Sequence, residues 1–337
     1  MNVAHILPSL DIGGVEVGIQ KSLNSLQNIF DYKVFYVKKK GCLNVGQKHV
    51  LHLITGIVTR RWCPDVIITS LWYAHPIGWM FSMIGIKWYA FYHLADFAHS
   101  LDALVQKFSW KHADFRLCDS QATSDFMNKI QTQQSHVIPY VFKNFANSSA
   151  LNWQSRNYDV VWVGRNHPQK RIDILCTLIG CIIERKPDLK VLIIQAADES
   201  KLFDDLCGLY DKNIILVKNI DNSKVIEYLH ESKCYVLTSD VEGMSLSTIE
   251  AIQAGCLPVV RSVGEIKNYL SENACVRIYE TDVQSLINIA DRTICLLNDN
   301  IEANLIITNA VGSIERIGFY TEQLTAAIKM CGVDEGA

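Results

Sequence analysis

The stretch that most constrains the fold lies between two apolar runs in the last third of the chain. Residues 234–238 and 257–260 are rich in valine and leucine and have the length of buried strands. Between them, Gly243 lies early in a polar loop, and an apolar pattern of helical spacing follows it. Parallel strands need a crossover helix, so this order predicts one strand–loop–helix–strand unit of an α/β sheet.

Two glutamates, Glu242 and Glu250, lie on the loop and in the helix, with seven residues between them. Gly243 allows a tight turn at the strand end. The first N–H groups of a helix lack partners within it, which suits a diphosphate. The amides predicted to form this site belong to Gly243, Met244, Ser245 and Leu246. The carboxylates would then accept hydrogen bonds from sugar or ribose hydroxyls. The alternative is an ordinary helix start with two solvated glutamates.

These residues resemble the donor-site signature of the retaining GT-B glycosyltransferases of the large family four, of the bacterial surface-glycan type. The resemblance rests on the Glu242-x7-Glu250 spacing and on the Ala-x2-Ala-Gly-x2-Pro-Val-Val pattern of residues 251–260. It implies an α/β fold with two Rossmann-like parallel-sheet domains facing each other across a cleft. It also implies transfer of a sugar with retention of its anomeric configuration.

A second segment carries two cations after a predicted strand. Arg165 follows Gly164, and Lys170 lies five residues further on. Two cations fixed at a strand end can neutralise a leaving diphosphate. The family pattern is Gly-Arg, four residues, then Lys-Gly, and Arg165 and Lys170 match it, whereas Arg171 stands in place of the glycine. The alternative is a basic pair on the surface.

Two segments of the first half complete the predicted site. Gly13 and Gly14 lie between a strand at residues 2–7 and a helical pattern, and His93 follows the apolar run 88–92. The resemblance implies that the glycine turn lies near the donor phosphate and the acceptor, and that His93 lies beside the transferred sugar. The alternatives are an ordinary strand–helix turn and a hydrogen-bonded loop histidine. The predicted catalytic residues are thus His93, Arg165, Lys170 and Glu242, and the predicted donor-binding residues are Gly13, Gly14, Gly243, Met244, Ser245, Leu246 and Glu250.

The length of 337 residues and the alternation of strands with helices predict two domains. We expect an acceptor domain over residues 1–150, a donor domain over 158–310, and a helix over 311–331 that returns to the first domain, as the resemblance implies. The apolar stretch 71–92 contains Gly85 and Lys87, which favours a buried helix followed by a strand over a membrane span.

Charge is uneven along the chain. Residues 1–157 hold 15 Lys and Arg against 9 Asp and Glu, and the remainder holds 17 against 26. The basic half, densest at residues 38–40, indicates either a solvated surface or contact with an anionic membrane. The eleven cysteines show no metal-binding spacing and indicate reduced thiols. We therefore expect a cytoplasmic protein, peripheral on the inner face of the plasma membrane, that binds no nucleic acid.

The reaction that the resemblance implies moves a sugar from a UDP- or GDP-linked donor to a hydroxyl of a glycan or lipid-linked glycan in surface polysaccharide biosynthesis. The nucleotide sugar is then a substrate and not a cofactor. No Asp-x-Asp pair is present, and the nearest pattern, Asp240-Val241-Glu242, belongs to the donor motif, so we expect neither a metal nor a cofactor. Two alternatives are a GT-B-fold nucleotide-sugar 2-epimerase and a non-catalytic sugar-nucleotide-binding protein. The first is disfavoured because Glu16 is the only glutamate of the first domain.

Overall fold

The computed structural model describes residues 1–9, 14–38, 48–93, 95–142, 153–196 and 200–330. The chain divides into two compact units, one formed by Met1–Lys143 with Gly318–Ala337 and the other by Asn144–Ile317. The predicted domain borders at 150, 158 and 310 therefore shift in the structure. The polar composition of residues 144–157 predicts an interdomain linker, and its first part, residues 144–152, lies outside the described residues.

The first unit contains one parallel sheet and the helices that connect its strands. Its elements are β1 (Asn2–Leu7), α1 (Gly14–Gln27), β2 (Asp31–Tyr36), β3 (Lys48–His49), α2 (Val50–Val58), β4 (Val66–Ser70), α3 (His75–Ser82), β5 (Lys87–Tyr92), α4 (Ser100–His112), β6 (Phe115–Cys118), α5 (Gln121–Asn128) and β7 (His136–Val137). The sheet has seven strands in the order β3-β2-β1-β4-β5-β6-β7. The central strands β1, β4 and β5 are almost completely buried, as expected where helices cover both faces of a sheet.

The second unit repeats this architecture. Its elements are β8 (Tyr158–Arg165), α6 (Ile172–Arg185), β9 (Val191–Ala196), α7 (Lys201–Leu209), β10 (Ile214–Lys218), α8 (Asn222–His230), β11 (Ser232–Leu237), α9 (Leu246–Gln253), β12 (Leu257–Arg261), α10 (Ile266–Tyr269), β13 (Val276–Ile278), α11 (Val283–Asn298) and α12 (Asn300–Ile317). Its six parallel strands follow the order β10-β9-β8-β11-β12-β13. Its core joins α6 and α11 to the sheet, with the Trp162 ring 5.1 Å from that of Phe203.

Each sheet reverses its strand order once. In the second unit the chain builds outward from β8 through β9 to β10, and then returns to place β11 on the other side of β8. The first unit does the same at β1 and β4. In open α/β sheets the crevice at such a reversal, beyond the carboxyl ends of the strands, is where ligands bind. The topology therefore directs attention to the loops after β8 and β11.

The last helix differs from its prediction. Residues 311–317 belong to α12 of the second unit, and α13 (Tyr320–Met330) belongs to the first. Gly318 separates them with a φ of +85°, a left-handed conformation that ends helices and favours glycine. Tyr320 is fully buried, its N–H donates to the carbonyl of Val141 at 2.8 Å, and its ring centroid lies 4.8 Å from that of Tyr140.

The apolar stretch 71–92 forms a short 3-10 turn (Trp72–Ala74), helix α3 and strand β5. Among the helices that the structure describes, none has both the length and the apolar character needed to cross a membrane.

Candidate functional site

The predicted cations and glutamates of the second unit lie on neighbouring loops. Arg165 is the exposed last residue of β8, and Glu242 follows β11, the strand paired with β8. The two loops are joined through their backbones, because the Asp240 N–H donates to the carbonyl of Gln169 at 2.9 Å. The Thr238 hydroxyl donates to the carbonyl of Lys170, also at 2.9 Å. Residues about 70 positions apart therefore form one site at the carboxyl edge of the sheet.

Lys170 and Glu242 form an ion pair at the centre of this site. The Lys170 Nζ lies 2.7 Å from the Glu242 Oε1, and the two side chains are 17% and 9% exposed. Glu250 is also buried, and its Oε1 lies 3.5 Å from the Nδ2 of Asn222, the first residue of α8. Burial of both carboxylates contradicts the alternative of two solvated glutamates.

The loop that joins β11 to α9 is held in a rare conformation. Ser245 has a φ of +54°, which is uncommon for a residue other than glycine. Its hydroxyl lies 2.8 Å from that of Thr248 in the first turn of α9, and the buried Tyr269 hydroxyl donates to the carbonyl of Met244 at 3.1 Å. Strained backbone of this kind persists where surrounding contacts hold it, and it concentrates at ligand sites.

The start of α9 presents backbone donors beside the ion pair. Among the described residues, no acceptor is found for the N–H groups of four consecutive positions, Gly243, Met244, Ser245 and Leu246. Leu246 is the first residue of α9, a helix of eight residues. Such a group of N–H donors at a helix start is suited to bind an anion.

Asp240 connects the loops after three adjacent strands. It forms ion pairs with Arg171, at 3.1 Å between the Asp240 Oδ2 and the Arg171 Nη1, and with Arg261 at the end of β12. Burial acts to raise the pKa of Asp240, but hydrogen bonds from Arg261 and Arg171 lower this pKa below its usual value. Hydrogen bonds to Asp173 and then Asp240 raise the pKa of Arg171. The network fixes the position of the Glu242 loop, two residues further on.

Gly264 is a site residue that the sequence analysis did not select. A Cβ at this position would overlap the carbonyl oxygen of Glu242 and lie 2.7 Å from that of Gly243. The φ of Gly264 is +54°, and the N–H of the next residue, Glu265, donates to the Gly243 carbonyl at 3.1 Å. Gly264 follows β12, which lies beside β11 in the sheet, and this position after a predicted strand is the sequence signal that could have selected it. Asn222, Asp240 and Tyr269 were also missed, because their roles depend on contacts between distant segments.

His93, the predicted catalytic residue of the first unit, follows β5 and is 7% exposed. Its Nε2 lies 3.1 Å from the Ser70 hydroxyl, which lies 2.8 Å from the Nε2 of His5. The His5 Nδ1 in turn lies 2.5 Å from the Tyr32 hydroxyl. Burial lowers the pKa of His5 to about 3. The pKa of His93 is held well below its usual value, mainly by burial and to a smaller extent by electrostatic repulsion from His5 and His75. These imidazoles are therefore neutral.

A cavity of about 390 Å³ adjoins His93. Its wall includes Trp72, Tyr73, Asp102 and Gln106, and the His93 Nδ1 has no partner among the described residues. Leu71, also in the wall, has a φ of +67° and a ψ of 150°, a region that residues other than glycine almost never adopt. This strained residue follows β4, at the strand reversal of the first sheet.

Of the glycine turn predicted in the first unit, Gly13 lies outside the described residues and Gly14 is the first residue of α1. In the described ranges, no group of three or more His, Cys, Asp or Glu side chains is placed to hold a metal ion.

Comparison with known proteins agrees with this geometry. Residues 144–311 match the model of the family Glycosyl transferases group 1. This part of the chain is a group 1 glycosyltransferase domain. The match includes Arg165, Lys170, Glu242 and Glu250 and lies entirely within the second unit. A search of curated protein sequences finds no significant match.

Solved structures extend the likeness to the whole chain. Sucrose-phosphate synthase from Thermosynechococcus elongatus has a TM-score of 0.80 and 16% identity over 99% of this chain and 100% of that chain. Anabaena HepE in complex with UDP and glucose has a TM-score of 0.78 and 15% identity over 98% and 100%. A variant of S. aureus TarM, in complex with fondaparinux, α-GlcNAc-glycerol and UDP, has a TM-score of 0.63 and 18% identity over 78% and 54%. The predicted GT-B fold is confirmed.

Proposed function

We propose that this group 1 domain is part of a retaining glycosyltransferase of family four that moves a sugar from a nucleotide-sugar donor to a hydroxyl. The acceptor is a glycan or lipid-linked glycan of surface polysaccharide biosynthesis. The observation that carries the proposal is the buried Lys170–Glu242 pair beside the N–H donors that open α9. A cation, a carboxylate and backbone N–H donors are then found together at the strand reversal. A nucleotide sugar can use the cation and the N–H donors for its diphosphate and the carboxylate for its hydroxyls.

Each group has a separate role in this proposal. The diphosphate rests on the N–H groups of residues 243–246, and Arg165 and Lys170 neutralise the charge that develops on it as the bond to the sugar breaks. Lys170 has three donors and uses one on Glu242, so it can bridge the carboxylate and a phosphate. Glu250 receives the ribose hydroxyls, and Glu242 the hydroxyls of the transferred sugar.

The base of the donor is proposed as uracil before guanine, because solved structures of the same fold, HepE and TarM, contain UDP. No metal ion is proposed to take part, since the cations of the site supply the positive charge. The protein is proposed to act in the cytoplasm, against the anionic inner face of the plasma membrane.

The first test is a calorimetric titration with UDP, GDP and their sugar conjugates, followed by NMR of the anomeric proton of the product. We expect binding of one nucleotide class, transfer that persists in EDTA, and a product with the donor's anomeric configuration. An inverted product would contradict retention. A 2-epimerised nucleotide sugar would favour the epimerase, and binding without turnover would favour the non-catalytic alternative.

The second test removes the cations. We expect Arg165→Ala and Lys170→Ala each to lower kcat/KM by about 10²-fold, the scale of losing one preorganised charge-stabilising group. Lys212→Ala is the matched control, because Lys212 is exposed and precedes β10 at the opposite edge of the sheet. Turnover like that of the wild type in both site variants would contradict the assignment.

A further inference from the structure

Helix α4 of the first unit has its polar side turned inward. Asp102, Gln106 and Ser109 are buried, and they are satisfied there by hydrogen bonds. The Gln106 Nε2 donates to the Asp102 carboxylate at 2.6 Å, and the Ser109 hydroxyl accepts from that of Tyr92 at 2.8 Å. The outward side carries Leu101 and Leu104, which are 54% and 65% exposed. A surface helix normally has the opposite arrangement.

Helix α3 extends this apolar surface. Trp79 and Met80 of α3 are 41% and 47% exposed, and Met83, the residue after the helix, is 70% exposed. The Trp79 ring meets that of Phe108 of α4 edge to face at 5.2 Å. We define the α3–α4 surface by Trp79, Met80, Met83, Leu101, Leu104 and Phe108. A contiguous apolar surface across two packed helices indicates an interaction site, unlike single scattered residues.

The charged residues of this surface indicate what kind of partner it binds. Asp102 is the one acidic residue of α3 and α4, and it is buried. Lys107 and Lys111 are exposed on α4 on either side of Phe108. Lysines with long apolar stems and a tryptophan among aliphatic side chains suit the boundary between lipid headgroups and acyl chains. Pairing this surface with its own copy would instead bring like charges together.

We propose that the α3–α4 surface inserts into the outer part of an anionic lipid monolayer. The inference rests on the proposed function and deepens it, because the same two helices form a wall of the cavity beside His93 through His75 and Asp102. The inserted face of α4 is opposite to the face that meets the cavity. The headgroup of a lipid-linked acceptor would thus lie within reach of the cavity while its chain stays in the membrane.

The test measures sedimentation of the full chain with vesicles of phosphatidylcholine alone or mixed with phosphatidylglycerol. We expect binding to the mixed vesicles that weakens with salt. Leu104→Glu, and independently Met83→Glu, should lower the partition coefficient at least about tenfold. Leu305→Glu is the matched control and should bind as the wild type does, since Leu305 is 61% exposed on α12 of the second unit.

A second pair of substitutions tests the charge. Lys107→Gln with Lys111→Gln should remove the preference for anionic vesicles, about fivefold for each lysine. The proposal is overturned if the wild type binds neither vesicle, if Leu305→Glu loses as much as Leu104→Glu, or if Leu104→Glu abolishes a dimer and leaves vesicle binding unchanged. UDP titration of the same proteins separates the two proposals. UDP binding without vesicle binding overturns the docking surface and the proposed membrane contact but leaves the proposed sugar transfer standing. Vesicle binding without nucleotide binding overturns the proposed sugar transfer alone.

Discussion

At the residue scale, the ion pair between Lys170 and Glu242 is the most informative contact. Both side chains are largely removed from water, where an unpaired charge is unfavourable by several kcal/mol. The pair therefore holds both groups in place, which in the proposed function prepares the site for a donor. A phosphate that approaches Lys170 then meets a lysine already oriented, so little conformational entropy is lost on binding.

The two glutamates are expected to differ in their kinetic effect. Glu242→Gln should lower kcat by about 10²-fold, because its proposed contact strengthens as the sugar ring gains charge. Glu250→Gln should raise the donor KM about tenfold with little change in kcat, because ribose contacts are equal in the ground and transition states. Steady-state kinetics measure both, with the exposed Glu227→Gln as control. If Glu242→Gln weakened binding of the nucleoside diphosphate as severely as Glu250→Gln, this division would be wrong.

Arg171 occupies the position where the family pattern has glycine, and its φ of +48° supplies a physical reason for that pattern. We expect Arg171→Val to be less stable than Arg171→Gly by about 1–3 kcal/mol, because a β-branched residue is strained in this region. Both substitutions remove the ion pairs to Asp173 and Asp240. The difference in free energy of unfolding between the two variants therefore reports the strain of the backbone at this position. Urea unfolding measures it, and equal midpoints would contradict the strain.

At the scale of elements, the site is a junction of loops after β8, β11 and β12. Neighbouring strands bring their carboxyl ends together, and Asp240 joins all three loops through Arg171 and Arg261. Gly264 lets the third loop pass against the backbone of the second. The shape of the proposed anion site therefore depends on the packing of three loops and not on the Glu242 loop alone.

Gly264→Ala tests this junction. Its Cβ would displace the carbonyls of Glu242 and Gly243, so we expect a loss of about 1–3 kcal/mol in stability and at least about tenfold weaker nucleotide binding. Gly208→Ala is the control: this glycine lies in α7 with open space around it, and alanine there should stabilise the helix by about 0.5–1 kcal/mol. Unchanged nucleotide affinity in Gly264→Ala would show that the third loop does not shape the site.

At the scale of the whole molecule, the buried histidines of the first unit couple stability to pH. His5 and His75 are completely buried with pKa values lowered to about 3 by burial. An unfolded histidine binds a proton near pH 6.5, whereas these do not until about pH 3. The unfolded state therefore gains protons first as the pH falls, and stability that is complete above pH 6.5 is lost progressively between pH 6.5 and 3.

We expect the free energy of unfolding to fall between pH 7.5 and pH 5.0 by on the order of 2 kcal/mol for each of these histidines. His75→Phe should reduce this pH-dependent loss by about that amount, although it also removes the hydrogen bond to Thr69 at 2.9 Å. His52→Gln, at an exposed histidine, should leave the loss as in the wild type. Thermal unfolding at both pH values measures the effect, and an equal loss in His75→Phe would contradict the role of burial.

The sequence alone determined the fold class and selected the candidate site residues of the second unit. Apolar runs of strand length that alternate with helical patterns admit few architectures besides parallel sheets. Arg165, Lys170, Glu242 and Glu250 could be selected because each lies in a local pattern, either in a loop that follows a predicted strand or in the helix that such a loop starts. Local spacing carries this information, since a tight turn and a helix start depend on only a few neighbouring residues.

Only the tertiary structure decided the contacts between those patterns. The pairing of Lys170 with Glu242, the contact of Gly264 with the Glu242 loop and the inward polar side of α4 all depend on strand order and packing, and side-chain patterns do not encode strand order uniquely. The same holds for the last helix, which lies in the first unit because Tyr320 packs against Tyr140 and Val141, about 180 residues earlier. Contacts so distant in sequence arise from burial, which is a property of the whole fold.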